Sequence, residues 1–130
     1  MPHCVILYTA QLDREADMGV LCRQLADAML GVRDDEGAPL FPPGGTRVLA
    51  YPAAHWAVGD GGAAGIAAGR FDGHPGGSGD YAFAYLQLRM GRGRSAATQQ
   101  RAGQALHAVA QAFFAPLIER RPLGVTVQVD

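Results

Sequence analysis

One stretch of this chain, DYAFAYLQLRM, alternates without a break. Ala82, Ala84, Leu86, Leu88 and Met90 fall on one side, and Tyr81, Phe83, Tyr85, Gln87 and Arg89 on the other, which predicts a strand. The opening residues His3 to Thr9, rich in Val5, Ile6, Leu7 and Tyr8, predict another. Between them, Met18, Leu21, Cys22, Leu25 and Met29 recur at helical spacing. Asp13, Glu15 and Asp17 put negative charge at that helix's start, and Gly31 is a plausible stop. A loop, DDEGAPLFPPGG, leads to a short strand over Thr46 to Tyr51, closed by Pro52. After the alternating strand, GRGR leads into a long helix from about Ser95 to Glu119. Its stripe is Ala102, Leu106, Val109, Ala110, Phe113 and Leu117, with Ser95 as N-cap and Arg120, Arg121 and Pro122 at its end. A last strand spans Leu123 to Val129.

The order is strand-helix-strand, a glycine-rich link, then strand-helix-strand again. Such doubling predicts an α/β fold of the two-layer α+β kind: a four-stranded mixed sheet with both helices on one face. The two strands of each unit run parallel through a right-handed crossover. The organisation expected is a single domain over residues 1–130, with a first βαβ unit over 1–52, a glycine-rich insertion over 59–79 and a second βαβ unit over 80–130. Nine of the 21 residues from Gly59 to Gly79 are glycine, so this insertion is expected to be a flexible surface excursion or lid. Two helices cannot cover both faces of the sheet. The face bearing Tyr81, Phe83 and Tyr85 is too apolar to leave wet, and a partner subunit or a folded-back loop must cover it; the oligomer is the more economical cover.

Charge and cysteine content narrow the function without naming it. Eleven basic residues against twelve acidic ones give a net charge of −1, which argues against a nucleic-acid or acidic-lipid surface. No stretch is long enough to span a bilayer and no signal-peptide pattern opens the chain, so a cytoplasmic protein is expected. Cys4 and Cys22 lack metal-type spacing, and neither has an evident activating base; two reduced, buried thiols are expected. No metal pattern, phosphate loop or dinucleotide fingerprint is present.

Three positions invite chemistry. Pro2 opens the first strand; once Met1 is removed, its ring nitrogen is a secondary amine, able to act as a general base in an apolar, cationic site. The bland alternative is that strand starts tolerate proline. GRGRS, from Gly91 to Ser95, joins a strand to a helix start, where free N–H groups and the dipole collect anions; Arg92 and Arg94 add charge that grips carboxylates, or are simply solvated in a turn. Arg47, in an apolar strand, needs either a substrate or a salt bridge across an interface. His3 and Trp56 are candidate pocket walls, each with a packing role as the alternative.

Taken together, MPH at the start, READ (Arg14 to Asp17), DYAF (Asp80 to Phe83), GRGRS and QQRAG (Gln99 to Gly103) resemble the tautomerase superfamily, and within it the 5-carboxymethyl-2-hydroxymuconate isomerase family. The likeness covers nearly all of the chain except Gly59 to Gly79. It implies homotrimers of βαβ repeats with sheet faces turned inward, a cover for the aromatic face. It implies Pro2 as the acid/base that shuttles a proton along a conjugated acid, and Arg94 as the carboxylate clamp. No cofactor is needed for such a transfer. One departure stands out: where the family tends to carry a further arginine ahead of the one matching Arg47, this chain has Gly44 and Gly45. Arg47 then serves alone, or Arg92 supplies the missing charge.

The function expected is therefore an isomerase acting on a small unsaturated hydroxy-carboxylic acid in bacterial breakdown of aromatic acids. Pro2 is the catalyst; Arg94, Arg47 and Arg92 bind the substrate; His3, Phe41 and Trp56 line the pocket. Two other readings compete. One is a non-catalytic oligomeric module that binds a small acid. The other is a tautomerase-fold hydratase or dehalogenase, for which Glu15, Asp80 or Asp130 would activate water.

Overall fold

A computed structural model describes residues 2–69 and 80–130. Its elements are β1 (His3–Thr9), α1 (Leu12–Glu15), α2 (Met18–Leu30), β2 (Arg47–Ala53), α3 (Ala63–Ala67), β3 (Ala82–Arg89), α4 (Ala96–Ile118) and β4 (Leu123–Val129). The four strands form one sheet in the order β2-β1-β3-β4. Each unit's pair is parallel, β1 with β2 and β3 with β4, and the two units meet antiparallel at β1 and β3. This is the two-layer fold that the doubled pattern predicts.

The helices α2 and α4 pack side by side over one face. Alternation decides which residues go under them: Cys4, Ile6 and Tyr8 from β1, and Ala82, Ala84, Leu86 and Leu88 from β3. Leu21, Leu25 and Met29 meet them from α2, and Leu106, Ala110 and Phe114 from α4. Asp17 caps α2 by accepting from Val20 N at 3.1 Å, and Ser95 caps α4 by accepting from Thr98 N at 3.1 Å.

The opposite face is open. On it Leu7, Leu49, Tyr51 and Tyr85 are 52%, 41%, 50% and 52% exposed. Phe83 and Tyr85 stack with ring centroids 6.3 Å apart.

Several expectations are corrected. The buried ring on α4 is Phe114, not Phe113, because the stripe runs by fours through Thr98, Ala102, Leu106 and Ala110 and drifts round the helix. β2 continues through Pro52 to Ala53, since as an edge strand it tolerates a residue with no N–H. Tyr81 precedes β3, and its hydroxyl turns to the insertion, donating to Asp60 at 2.8 Å and accepting from Gly65 N at 2.8 Å. The insertion is thus not wholly a flexible excursion: Asp60 accepts from Gly62 N at 2.7 Å ahead of α3, and Tyr81 anchors both. Residues 70–79 of that insertion lie outside the described residues. Cys22 is half-buried rather than buried, although Cys4 is buried and both are free thiols.

One buried ionic node was not anticipated. Arg121, 7% exposed, follows α4 and pairs with Glu15 at 2.7 Å and with the Asp80 carboxylate at 3.2 Å, and it also donates to the Asp80 carbonyl. It ties α1, the entry to β3 and the end of α4 together, and holds Asp80 at a φ of 55°. Arg121→Ala would leave two partly buried carboxylates facing each other. It is expected to destabilise the fold by about 2–4 kcal/mol, seen as a lower urea midpoint.

Candidate functional site

The register sets what lies beside Pro2. β1 is an inner strand, and its first residue, His3, is paired with Arg47 of β2 on one side and with Arg89 of β3 on the other. Pro2, half-buried, extends one residue past that row. Because β3 runs antiparallel to β1, its far end arrives where β1 begins. The turn that carries Arg92 and Arg94 therefore leaves the sheet beside Pro2. Gly93 makes this turn with a φ of 85°, a conformation that favours glycine. Ser95 then starts α4.

Arg47, Arg89, Arg92 and Arg94 are all exposed at this end of the sheet. Among the described residues, the side chains of Arg47, Arg92 and Arg94 have no ion-pair partner. The nearby acids are already engaged. Asp130 accepts from Gln87 Nε2 at 2.5 Å, and Asp35 pairs with Arg101 at 2.9 Å. Exposed, unpaired guanidinium groups at this end favour anions. The acidic groups Glu15 and Asp80 sit at the other end, bound to Arg121.

Asp35 also fixes the start of α4. Thr98 Oγ1 lies 3.2 Å from its carboxylate, and Ser95 Oγ donates to Thr98 Oγ1 at 2.9 Å. Hydrogen bonding from Ser95, then from Arg101, holds the Asp35 carboxyl below its ordinary range. The network pins the residue that follows Arg94.

The other sequence candidates divide. His3 lies in the row beside Pro2. Phe41 does not wall an open pocket: at 3% exposure it is packed in the core with Leu40 and Val32. Trp56 lies beyond the C-terminal end of β2, beside Thr9, lining a cavity of about 430 Å³ with Leu7, Phe83 and Tyr85. At about 3.3 Å per residue, the seven residues of β1 separate that cavity from the Pro2 end by about 20 Å, so one chain does not bring Trp56 to Pro2. Parallel pairing of β2 with β1 forces this, because the strand that starts at Arg47 must finish at the far end. Sequence reasoning passed over Arg89, whose signal was only its position at the end of the alternating strand.

Cys4 and Tyr8 offer no nucleophile. Burial, and secondarily Cys22, push the Cys4 thiol up to about 12. Burial and the hydrogen bond to Asp13 push Tyr8 up to about 12. Burial raises Cys22 as well. Among the described residues no group of three His, Cys, Asp or Glu side chains could hold a metal ion, and no helix is long and apolar enough to cross a membrane.

With this geometry in place, similarity to known proteins decides the family. The family model described as 5-carboxymethyl-2-hydroxymuconate isomerase matches residues 2–130. The chain belongs to that family. A 5-carboxymethyl-2-hydroxymuconate Delta-isomerase of Escherichia coli is 25% identical over 130 residues, covering 100% of this chain and 86% of that one. A crystal structure of a 5-carboxymethyl-2-hydroxymuconate delta-isomerase is 61% identical with a TM-score of 0.88, covering 100% of this chain and 82% of that one. Another, a 5-carboxymethyl-2-hydroxymuconate isomerase from Deinococcus radiodurans R1, is 28% identical with a TM-score of 0.73, covering 98% and 80%. A fused 4-OT, an asymmetric trimer, shares the fold alone, at 16% identity and a TM-score of 0.51 over 96% and 83%. The chain is an isomerase of this family, and its fold is the one the fused 4-OT shares.

The Asp35 network carries a pH signature. A carboxyl held low in the folded state contributes stability that is complete above the unfolded value of about 4 and is lost as pH falls through the folded one. Asp35→Asn is expected to lower the melting temperature by a constant amount above about pH 5, and the gap should close as pH falls below about 4. Melts across pH 2–7 check this; a gap that persists at the acid end contradicts it.

Proposed function

We propose that this isomerase moves a proton within a small unsaturated hydroxy-carboxylic acid of the 5-carboxymethyl-2-hydroxymuconate type, with Pro2 as general acid/base. One observation carries the reading: Pro2 immediately precedes an inner strand whose first residue, His3, is flanked in register by Arg47 and Arg89, with the arginine-bearing turn of residues 91–94 alongside. A dienol acid brings carboxylates that need cations, and an enol proton that needs a base. The freed Pro2 amine takes that proton and returns it at the other end of the conjugated system. Arg94, with Arg47 and Arg92, holds the carboxylates and the oxygen on which negative charge grows. Neighbouring guanidinium groups favour the uncharged form of such an amine, the form that can take a proton.

A homotrimer completes the reading. The open sheet face, with Leu7, Leu49, Tyr51 and Tyr85 bare, is apolar surface that neighbouring copies cover. Neighbours also give Trp56 a route to a site its own chain cannot reach. In this reading the protein needs no cofactor and works in the cytoplasm, in aromatic-acid breakdown. The hydratase alternative loses two of its three water-activating candidates, because Glu15 and Asp80 are bound to Arg121 at the far end of the sheet.

Intact mass spectrometry should show the mature protein lacking methionine. With amino termini confirmed, Pro2→Ala is expected to slow isomerisation of 2-hydroxymuconate-type acids by about 10²-fold or more. Arg94→Ala should cut kcat/KM by about 10–100-fold, in KM where it binds ground and transition states alike and in kcat where it holds only the enolate. Equal rates for Pro2→Ala and wild type would remove Pro2 from the chemistry. Carboxylate binding without turnover by a protein with a free Pro2 amine would favour the binding-module reading.

A further inference from the structure

Arg89 is the one arginine in the row beside Pro2 that the reading above leaves without a task. It ends β3 on the open face, with His3 in register between it and Arg47. Adjacent strands lie about 4.8 Å apart, so the Arg47 and Arg89 backbones stand about 10 Å apart, astride the strand that Pro2 begins.

Its local pairing is weak. The ion pair with Asp130 runs through Nε at 3.8 Å, and the Arg89 side chain is 63% exposed. The same Asp130 oxygen accepts from Gln87 Nε2 at 2.5 Å, and Gln128 Nε2 lies 3.5 Å from the other oxygen. Two amides therefore hold Asp130 in place without Arg89. Among the described residues, the two Nη groups of Arg89 have no hydrogen-bond partner. That forked edge is the part of a guanidinium that grips a carboxylate with two parallel hydrogen bonds. A long, exposed ion pair of this kind contributes little to the fold, so structure alone does not account for an arginine here.

We propose that Arg89 binds a second carboxylate of a polycarboxylic substrate, across the strand from Arg47, exchanging its loose contact with Asp130 for a bidentate one. Each carboxylate that leaves water needs a partner, and Arg89 offers one on the side of the strand opposite Arg47. Arg89 then sets selectivity for di- and tricarboxylic acids over monocarboxylic ones. Asp130 is the counter-ion that opposes binding when the second carboxylate is missing. This inference rests on the Pro2 end being the substrate site.

Binding separates it from the chemistry. Adipate and hexanoate have the same chain length and differ by one carboxylate, and neither can isomerise. By calorimetry or by competition, Arg89→Met is expected to weaken adipate about tenfold or more and to change hexanoate by no more than about twofold. Arg89→Lys should recover part of the loss, and Asp130→Asn should tighten adipate several-fold. In turnover, Arg89→Met should raise KM for a dicarboxylic hydroxymuconate and leave kcat nearly unchanged. Equal losses for both acids, no loss, or no adipate binding to wild type at millimolar concentration overturns the proposal. The same titration on Pro2→Ala protein keeps the two ideas apart. Adipate selectivity retained there supports Arg89 whatever becomes of turnover, and unimpaired turnover by Pro2→Ala removes the base without touching the selectivity result.

Discussion

β1 is hydrogen-bonded on both edges, parallel to β2 and antiparallel to β3. The arrangement at the amino-terminal end depends on this double pairing. An inner strand cannot slip by one residue without turning its buried side chains to the open face and breaking two ladders. Holding Cys4, Ile6 and Tyr8 under the helices therefore also holds His3 in the row with Arg47 and Arg89. Pro2 inherits its position from that row. A proline at this point removes only a donor that lies outside the ladder.

The same pairing sorts charge along the sheet. Arginines gather where β1 and β2 begin and β3 ends, and carboxylates gather at the opposite end around Arg121. Each end has its own clamp. At one, Arg121 joins α1, β3 and α4 with little exposure to water. At the other, Asp35, Ser95, Thr98 and Arg101 hold the start of α4, and with it the turn that carries Arg92 and Arg94. A rigid helix start behind a glycine-containing turn gives the exposed Arg92 and Arg94 a fixed origin.

The helical face and the open face obey different rules. The first is a dry, interdigitated core in which Phe114 and Leu106 are fully buried. The second leaves Leu7, Leu49, Tyr51 and Tyr85 half-bare, a pattern that a lone chain in water does not favour. Alternation along β3 carries this imbalance in the residues themselves, because both sides of that strand bear large apolar side chains.

Strong periodicity made β1, β3, β4 and the two long helices legible from residues alone, since alternation and helical stripes are local properties of the chain. The pairing of Pro2 with arginine-bearing segments was legible only through resemblance. Nothing local places Arg47 and Arg89 on either side of His3. Their adjacency comes from hydrogen bonds between strands more than forty residues apart. Phe41 and Trp56 show the limit from the other side. Both were read as pocket walls from their residue type, yet one was drawn into the core and the other carried to the far end by the direction of β2. The sequence by itself determined the elements, the two unequal faces of the sheet and the chemical groups on hand. Tertiary structure alone decided which of those groups share an end, because register and strand direction are set by long-range pairing that no short window of residues contains.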